Sequence, residues 1–159
     1  MPRFMDVHWM TRLGAQQLQL RIAAVKAAHE DWHRSGEALA AAAALWGGGG
    51  NACGVFVDSE TDEVGSVGRN CYARVRIAKT PCGLYAYGIE IQVGTACFGN
   101  APSVWSQPFE TRLAAKNHAI RALIEMLTPA HTRPAAGHQA QLLLSQLKKQ
   151  LSQQTLFDL

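Results

Sequence analysis

No stretch of this chain is apolar for long enough to span a membrane, and the alanine-rich run from Leu39 to Trp46 stops after eight residues. The opening residues Met1-Pro2-Arg3-Phe4-Met5-Asp6 lack the apolar core of a secretory signal. A cytoplasmic protein with no membrane partner is expected. Charge of one sign is also scarce. The net charge is +3, divided as +1 over residues 1–50, 0 over 51–128 and +2 over 129–159, so no broad polyanion-binding field exists. The four cysteines, at 53, 71, 82 and 97, lie far apart, which argues against a disulfide framework and for reduced thiols filling small core spaces. Recognisable catalytic signatures are missing too: there is no Gly-x-Ser-x-Gly elbow, no Walker loop and no close Cys/His pair. The expectation is a protein that is not an enzyme and needs neither cofactor nor metal.

What the chain does have is apolar content, 48% of its 159 residues, enough for one folded body with an appendage. Residues 11–46 predict one long helix or two collinear ones, with Thr11 as a cap. Positions 18, 22, 25, 29, 32, 36, 39, 43 and 46 form a one-face stripe. Ser35-Gly36 is a candidate break, and Gly47 to Gly50 ends the segment as a flexible connector. A short strand follows at Val55-Phe56-Val57, then an acidic turn from Asp58 to Glu63. The clearest element is a hairpin of residues 70–79 and 84–93, turned by Thr80-Pro81-Cys82-Gly83. Its buried face should carry Cys71, Ala73, Val75 and Ile77 against Tyr85, Tyr87, Ile89, Ile91 and Val93. A last strand is expected over Val104 to Phe109, and a helix over 112–127 capped by Thr111. Residues 128–138, with two prolines and a glycine, read as a linker. A final amphipathic helix over about 138–152 carries Ala140, Leu144, Leu147 and Leu151 on one face, with Leu143 beside it.

Several patterns point to ligands but lack the partners that chemistry needs. The glycine run is not followed by Lys-Ser/Thr and does not join a strand to a helix, so it is no phosphate cradle. His29 and His33 share a helical face with no third ligand nearby. The alternating acids of 58–63 lack the glycine and terminal acid of a calcium loop. Cys71, Cys82 and Cys97 with His118 do not have zinc-finger spacing.

The strongest short signal is Gln153-Gln154-Thr155-Leu156-Phe157. The stripe of the final helix, continued, would call for apolar residues at 154 and 158, where Gln154 and Asp158 stand. Leu156 and Phe157 fall off it, so amphipathicity does not account for them. These residues resemble the bacterial sliding-clamp-binding peptide, usually Gln, Leu, Ser or Asp, then Leu-Phe. Gln153, Leu156 and Phe157 match, Thr155 is close to the usual serine, and Gln154 departs from the usual leucine. The resemblance implies that Leu156 and Phe157 would fill an apolar pocket while Gln153 hydrogen-bonds at its rim, an arrangement that concentrates binding energy in few residues.

A second signal is basic. Arg69, Arg74, Arg76 and Lys79 fall in an acid-free stretch, with Tyr72 on the same outward face as Arg74 and Arg76, a combination suited to DNA or RNA. Arg112 and Lys116 would extend that surface. The competing reading pairs these charges with Glu90 across the hairpin. The order helix, antiparallel strands, helix resembles the double-stranded RNA-binding domain, as does Ala115-Lys116-Asn117-His118-Ala119. Arg112-Leu113 stands where that family has paired lysines, and its Gly-Pro-x-His loop is absent. Residues 85–127 also resemble small accessory segments of phage and plasmid proteins, with their Pro-Ser loop and Phe-x-Thr-Arg helix start.

The expected architecture is α+β. An antiparallel sheet of three to four strands (residues 1–128) carries helices on one face. A linker (129–138) then leads to an appended helix ending in a docking peptide (139–159). The leading functional expectation is an accessory protein of DNA replication, repair or a mobile element, recruited by the sliding clamp. The alternatives are a nucleic-acid-binding module on the Arg-rich strand, and a homo-oligomer joined through the helix stripes.

Overall fold

The computed structural model describes residues 13–128 and 137–157, the last three of these by their backbone alone. In chain order come α1 (Ala15–Ala28), α2 (Gly36–Leu45), β1 (Ser59–Gly68), β2 (Cys71–Lys79), β3 (Tyr85–Val93), β4 (Ala96–Gly99), α3 (Arg112–Met126) and α4 (Gly137–Phe157). The four strands make one antiparallel sheet in the order β1-β2-β3-β4. The class is α+β, as the sequence indicates. No helix among the described residues is long and apolar enough to cross a membrane.

The central hairpin pairs in unbroken register, with Ala73 opposite Ile91 and Val75 opposite Ile89. The Thr80 N–H donates to the Leu84 carbonyl at 2.9 Å, and the Thr80 hydroxyl donates to the same oxygen at 2.7 Å, closing the expected turn. Cys71, Ala73, Val75, Ile77, Ile89 and Ile91 form the floor of the main core. Its roof is Ala115, Ala119, Ile120 and Leu123 of α3 together with Ala140, Leu143 and Leu147 of α4. The small alanines let α3 lie close to the sheet. Leu113, in the first turn of α3, is exposed. The final helix is therefore not set apart from the body: Leu143 and Leu147 are fully buried in the same cluster as the hairpin. It begins at Gly137 and runs five residues beyond the expected end at 152. The linker residues 129–136 lie outside the described residues, as does Thr11.

The N-terminal helices serve a second cluster. Leu18, Ile22, Ala42 and Trp46 gather with Phe56, Leu84 and Val104, and with Ala78 and Ala86, which face each other across the turn end of the hairpin. Ala78 and Ala86 alternate with the main-core positions, so this cluster covers the turn end of the sheet face opposite α3 and α4. The first segment is two helices rather than one. His29 to Ser35 separates them, and the Ser35 hydroxyl caps α2 by accepting from the Ala38 N–H at 3.1 Å. Gly36 thus opens the second helix instead of breaking a single long one. Leu18, Ile22 and Trp46 of the first expected stripe, and Ala140 and Leu147 of the last, are buried within the chain, while Val25, Trp32, Leu144 and Leu151 stay partly exposed.

The glycine run is a defined turn, not a loose connector. Gly47, Gly48 and Gly49 have φ of 81°, 90° and 91°, the left-handed region that side chains disfavour. They swing the chain so that the Trp46 carbonyl accepts from the Cys82 N–H at 3.1 Å. The Trp46 indole donates to the Val104 carbonyl at 2.9 Å.

Three strand expectations change. The acidic turn is instead the start of β1, because Glu60 and Asp62 face basic side chains of α3 and gain ion pairs in an extended chain. The segment Val55–Val57 is not a strand of the sheet: Val55 makes only an isolated bridge to Ser103. Val104 to Phe109 is not a strand either, since a Ser103–Ser106 turn interrupts it and Pro108 offers no N–H. The fourth strand is Ala96–Gly99, upstream. The loop that follows crosses Gly88 so closely that a Cβ there would clash with Asn100 and Ala101 backbone. Cys71 is the one fully buried cysteine. Cys53 and Cys97 are exposed and Cys82 is half-buried, so the thiols are not uniformly core fillers.

Candidate partner-binding and basic surfaces

The helix α4 is held on the sheet by more than its apolar stripe. Gln146 bonds the β1 backbone at Ser66, and the Cys71 thiol donates to the Gln139 carbonyl at 3.6 Å. Beyond Leu147, Leu151 is the one described apolar side chain that still packs, in part, on the core. Gln153 is exposed and lines an open groove with Lys149, Gln150 and the β1 residues Glu63 to Ser66. Gln154 turns the other way, and its Oε1 is buried with no hydrogen-bond partner among the described residues. The backbone stays helical through Phe157. The side chains of Leu156 and Phe157 lie outside the described residues.

Each basic residue singled out above has a place. Arg74 and Arg76 project from β2 on the face opposite α3 and α4. There Glu90, from the neighbouring strand, accepts from Arg76 Nη2 at 3.1 Å and sits 3.6 Å from Arg74 Nη1. The Arg74 guanidinium lies 4.2 Å from the centre of the Tyr72 ring, and the Tyr72 hydroxyl donates to Glu90 at 3.3 Å. Burial and the Glu90 carboxylate raise the Tyr72 phenol above its ordinary value. The cross-hairpin pairing expected from sequence is thus the observed geometry. Such half-exposed pairs contribute about 0–1 kcal/mol each, so their main effect is to offset charge. Arg69, in the β1–β2 turn, and Lys79, at the far end of β2, are exposed and belong to neither cluster.

Arg112 and Lys116 do not extend that surface. They stand on α3, across the sheet, one turn apart. Arg112 donates to Glu60 through Nε at 3.2 Å and to Asp62 through Nη2 at 2.9 Å, and Lys116 lies 3.2 Å from Asp62. Burial opposes ionisation of Asp62, but the hydrogen bonds and charges of Arg112 and Lys116 outweigh it and hold the carboxyl below its ordinary value. These acids were hidden in the sequence because Glu60 and Asp62 read as a turn. The signal that finds them is alternation: positions 60, 62 and 64 share one strand face, ending in the buried Val64.

Among the described residues, histidine and cysteine do not assemble into a metal centre. Among the described residues no three of His, Cys, Asp and Glu converge, and the His29 ring bonds the Val25 carbonyl instead. Compared against protein families, curated proteins and solved structures, the chain finds no match.

Proposed function

We propose that this protein is a non-enzymatic accessory factor of DNA replication, repair or a mobile element, and that it docks on a bacterial sliding clamp through Gln153, Leu156 and Phe157. The observation that carries this reading is the register of α4. Position 156 follows the buried Leu147 by nine residues, about two and a half helical turns, which places it on the side of the helix away from the core. Exposed Gln153 lies one turn before 156 and 157; position 157, ten residues after Leu147, falls on the flank of the buried stripe rather than opposite it. The position that departs from the clamp-peptide pattern, Gln154, is the one turned toward the body. Because α4 is anchored in the core, recruitment would hold the whole folded body at the clamp rather than on a tether, raising its local concentration there.

The test is binding of the full chain to a purified bacterial sliding clamp, beside a Leu156→Ala/Phe157→Ala double variant. Saturable binding by the wild type, lost in a variant that unfolds at the same temperature, is the expected result. Equal binding by both, or none by either, rejects the reading. A nucleic-acid role for Tyr72, Arg74 and Arg76 has one observation in its favour: the Arg74–Tyr72 stack leaves a cation over an aromatic ring on an open sheet face. Salt-sensitive DNA or RNA binding that survives the tail variant but fails in Arg74→Gln/Arg76→Gln would select it.

A further inference from the structure

The two edges of the sheet are finished differently. The edge strand β1 carries Glu60, Asp62 and Glu63, breaks register with β2 twice, and is tied to α4 by Gln146. Charge, irregularity and a covering side chain are the usual means of keeping another strand off. The β4 edge has none of them. Ala96-Cys97-Phe98-Gly99 holds no charge and no proline, pairs with β3 in unbroken register, and is exposed at all four positions. The Asn100 N–H donates to the Ile89 carbonyl at 2.9 Å. By alternation the main-chain groups of Phe98 point at β3, and those of Cys97 and Gly99 point outward, with no partner among the described residues. Phe98 lies opposite Ile91, on the face that carries α3, yet it is 47% exposed, since among the described residues no strand lies beyond β4 to cover it.

We propose that β4 pairs antiparallel with β4 of a second copy of this chain, joining two four-stranded sheets into one continuous sheet. The edge is self-complementary about Phe98. A two-fold axis there, normal to the sheet, sets Cys97 of each copy against Gly99 of the other, and each such pair exchanges two main-chain hydrogen bonds. The two Phe98 side chains then meet on the α3 side, in the non-hydrogen-bonded type of pair where side chains approach most closely. The same axis keeps both α3 and α4 layers on one face and brings no charged side chain edge to edge. A second copy is the occupant that the edge itself specifies, because the same three residues supply both donors, both acceptors and the apolar cover. Four residues a side fall far short of the roughly 20–30 of a permanent interface, so the dimer is weak and reversible. It uses neither the tail nor the helix stripes.

The experiment is sedimentation equilibrium of the full chain, with reductant present, over a wide range of concentrations, together with amide hydrogen exchange at the two extremes. A reversible monomer–dimer equilibrium is expected, with the Cys97 and Gly99 amides exchanging more slowly as concentration rises. Two variants test the surface. Cys97→Pro deletes an outward N–H that β3 does not use, so the fold is kept, as for proline on other edge strands. Phe98→Lys sets like charges opposite each other. Each should weaken association by about tenfold or more. A chain that stays monomeric throughout, or a dimer that survives both variants, overturns the proposal. So does equal protection of the Cys97 and Gly99 amides at concentrations where the chain is monomeric, which would mean that the chain covers this edge itself.

Discussion

Gln146 holds Ser66 by both backbone groups: its Oε1 accepts from the Ser66 N–H at 2.7 Å, and its Nε2 donates to the Ser66 carbonyl at 2.9 Å. A single carboxamide thereby does for the edge strand β1 what a neighbouring strand would do, and it ties α4 to the sheet. Ser66 sits where β1 needs this help, between two irregularities in its pairing with β2, at Glu63/Gly65 and Ser66/Gly68. Gly65, beside it, leaves room for Leu143, which a Cβ would strike.

Replacing Gln146 by Ala should therefore cost about 1–2 kcal/mol, the net worth of two such hydrogen bonds. Hydrogen exchange discriminates this from general loosening. The Ser66 amide should exchange faster in Gln146→Ala, while amides of the β2–β3 ladder keep their protection. Uniform acceleration would mean that the carboxamide contributes only through helix stability.

The two ends of α4 should respond oppositely to truncation. Leu147→Ala removes a fully buried side chain from the main core, and a loss of about 2–5 kcal/mol is expected in urea unfolding. Leu156→Ala should change stability by no more than about 0.5 kcal/mol, as for substitutions away from the core. A large loss at 156 would place that residue in the protein's own packing and remove it from the docking surface.

The hairpin was legible because its turn has one reading: proline presets φ, glycine follows, and apolar residues alternate on both sides. The Thr111 cap was legible for the same local reason, and its hydroxyl accepts from the Ala114 N–H at 3.1 Å. What could not be read were surfaces decided by small or charged residues. Ala86 and Gly88 looked like the wet face of the hairpin but are buried, one under the N-terminal helices and one under the loop at Asn100. Alanine has no periodic signature strong enough to tell which side is covered. Glu60 and Asp62 favoured a turn by composition, and only the distant Arg112 and Lys116 make a strand of them. Of the candidate site, the pairing of Arg74 and Arg76 with Glu90 was readable from strand register. The unpartnered Gln154 Oε1 was not, because its burial is a tertiary fact.

Glu90 governs the charge of the open sheet face. Glu90→Gln removes the one carboxylate shared by Arg74 and Arg76, so affinity for single-stranded DNA or RNA at low salt should rise and its salt dependence steepen. Stability should shift by less than about 1 kcal/mol, since the pairs are half-exposed. Fluorescence anisotropy with a labelled oligonucleotide at several salt concentrations reads this directly. If the variant binds no better than wild type, the arginines have no access to a backbone and the face serves structure alone.

His118 should make the protein acid-sensitive in a defined window. Burial, and then the charge of Arg121, lower its pKa in the fold below the ordinary value of 6.5. The unfolded chain therefore takes up the proton first as pH falls, and the folded state loses ground from about 6.5 down to the lower folded value. Below that value both states are protonated and the loss stops. Tyr87, the other titratable group bonded to the ring, stays neutral throughout this range because burial raises its pKa. Urea midpoints at about pH 7.5 and about pH 5 should differ more in the wild type than in His118→Asn, which keeps a polar side chain but does not titrate. The NMR titration of the same imidazole should give a midpoint below 6.5. A midpoint at or above 6.5 would mean that the ring is solvated and that the Tyr87 and Phe109 rings do not enclose it.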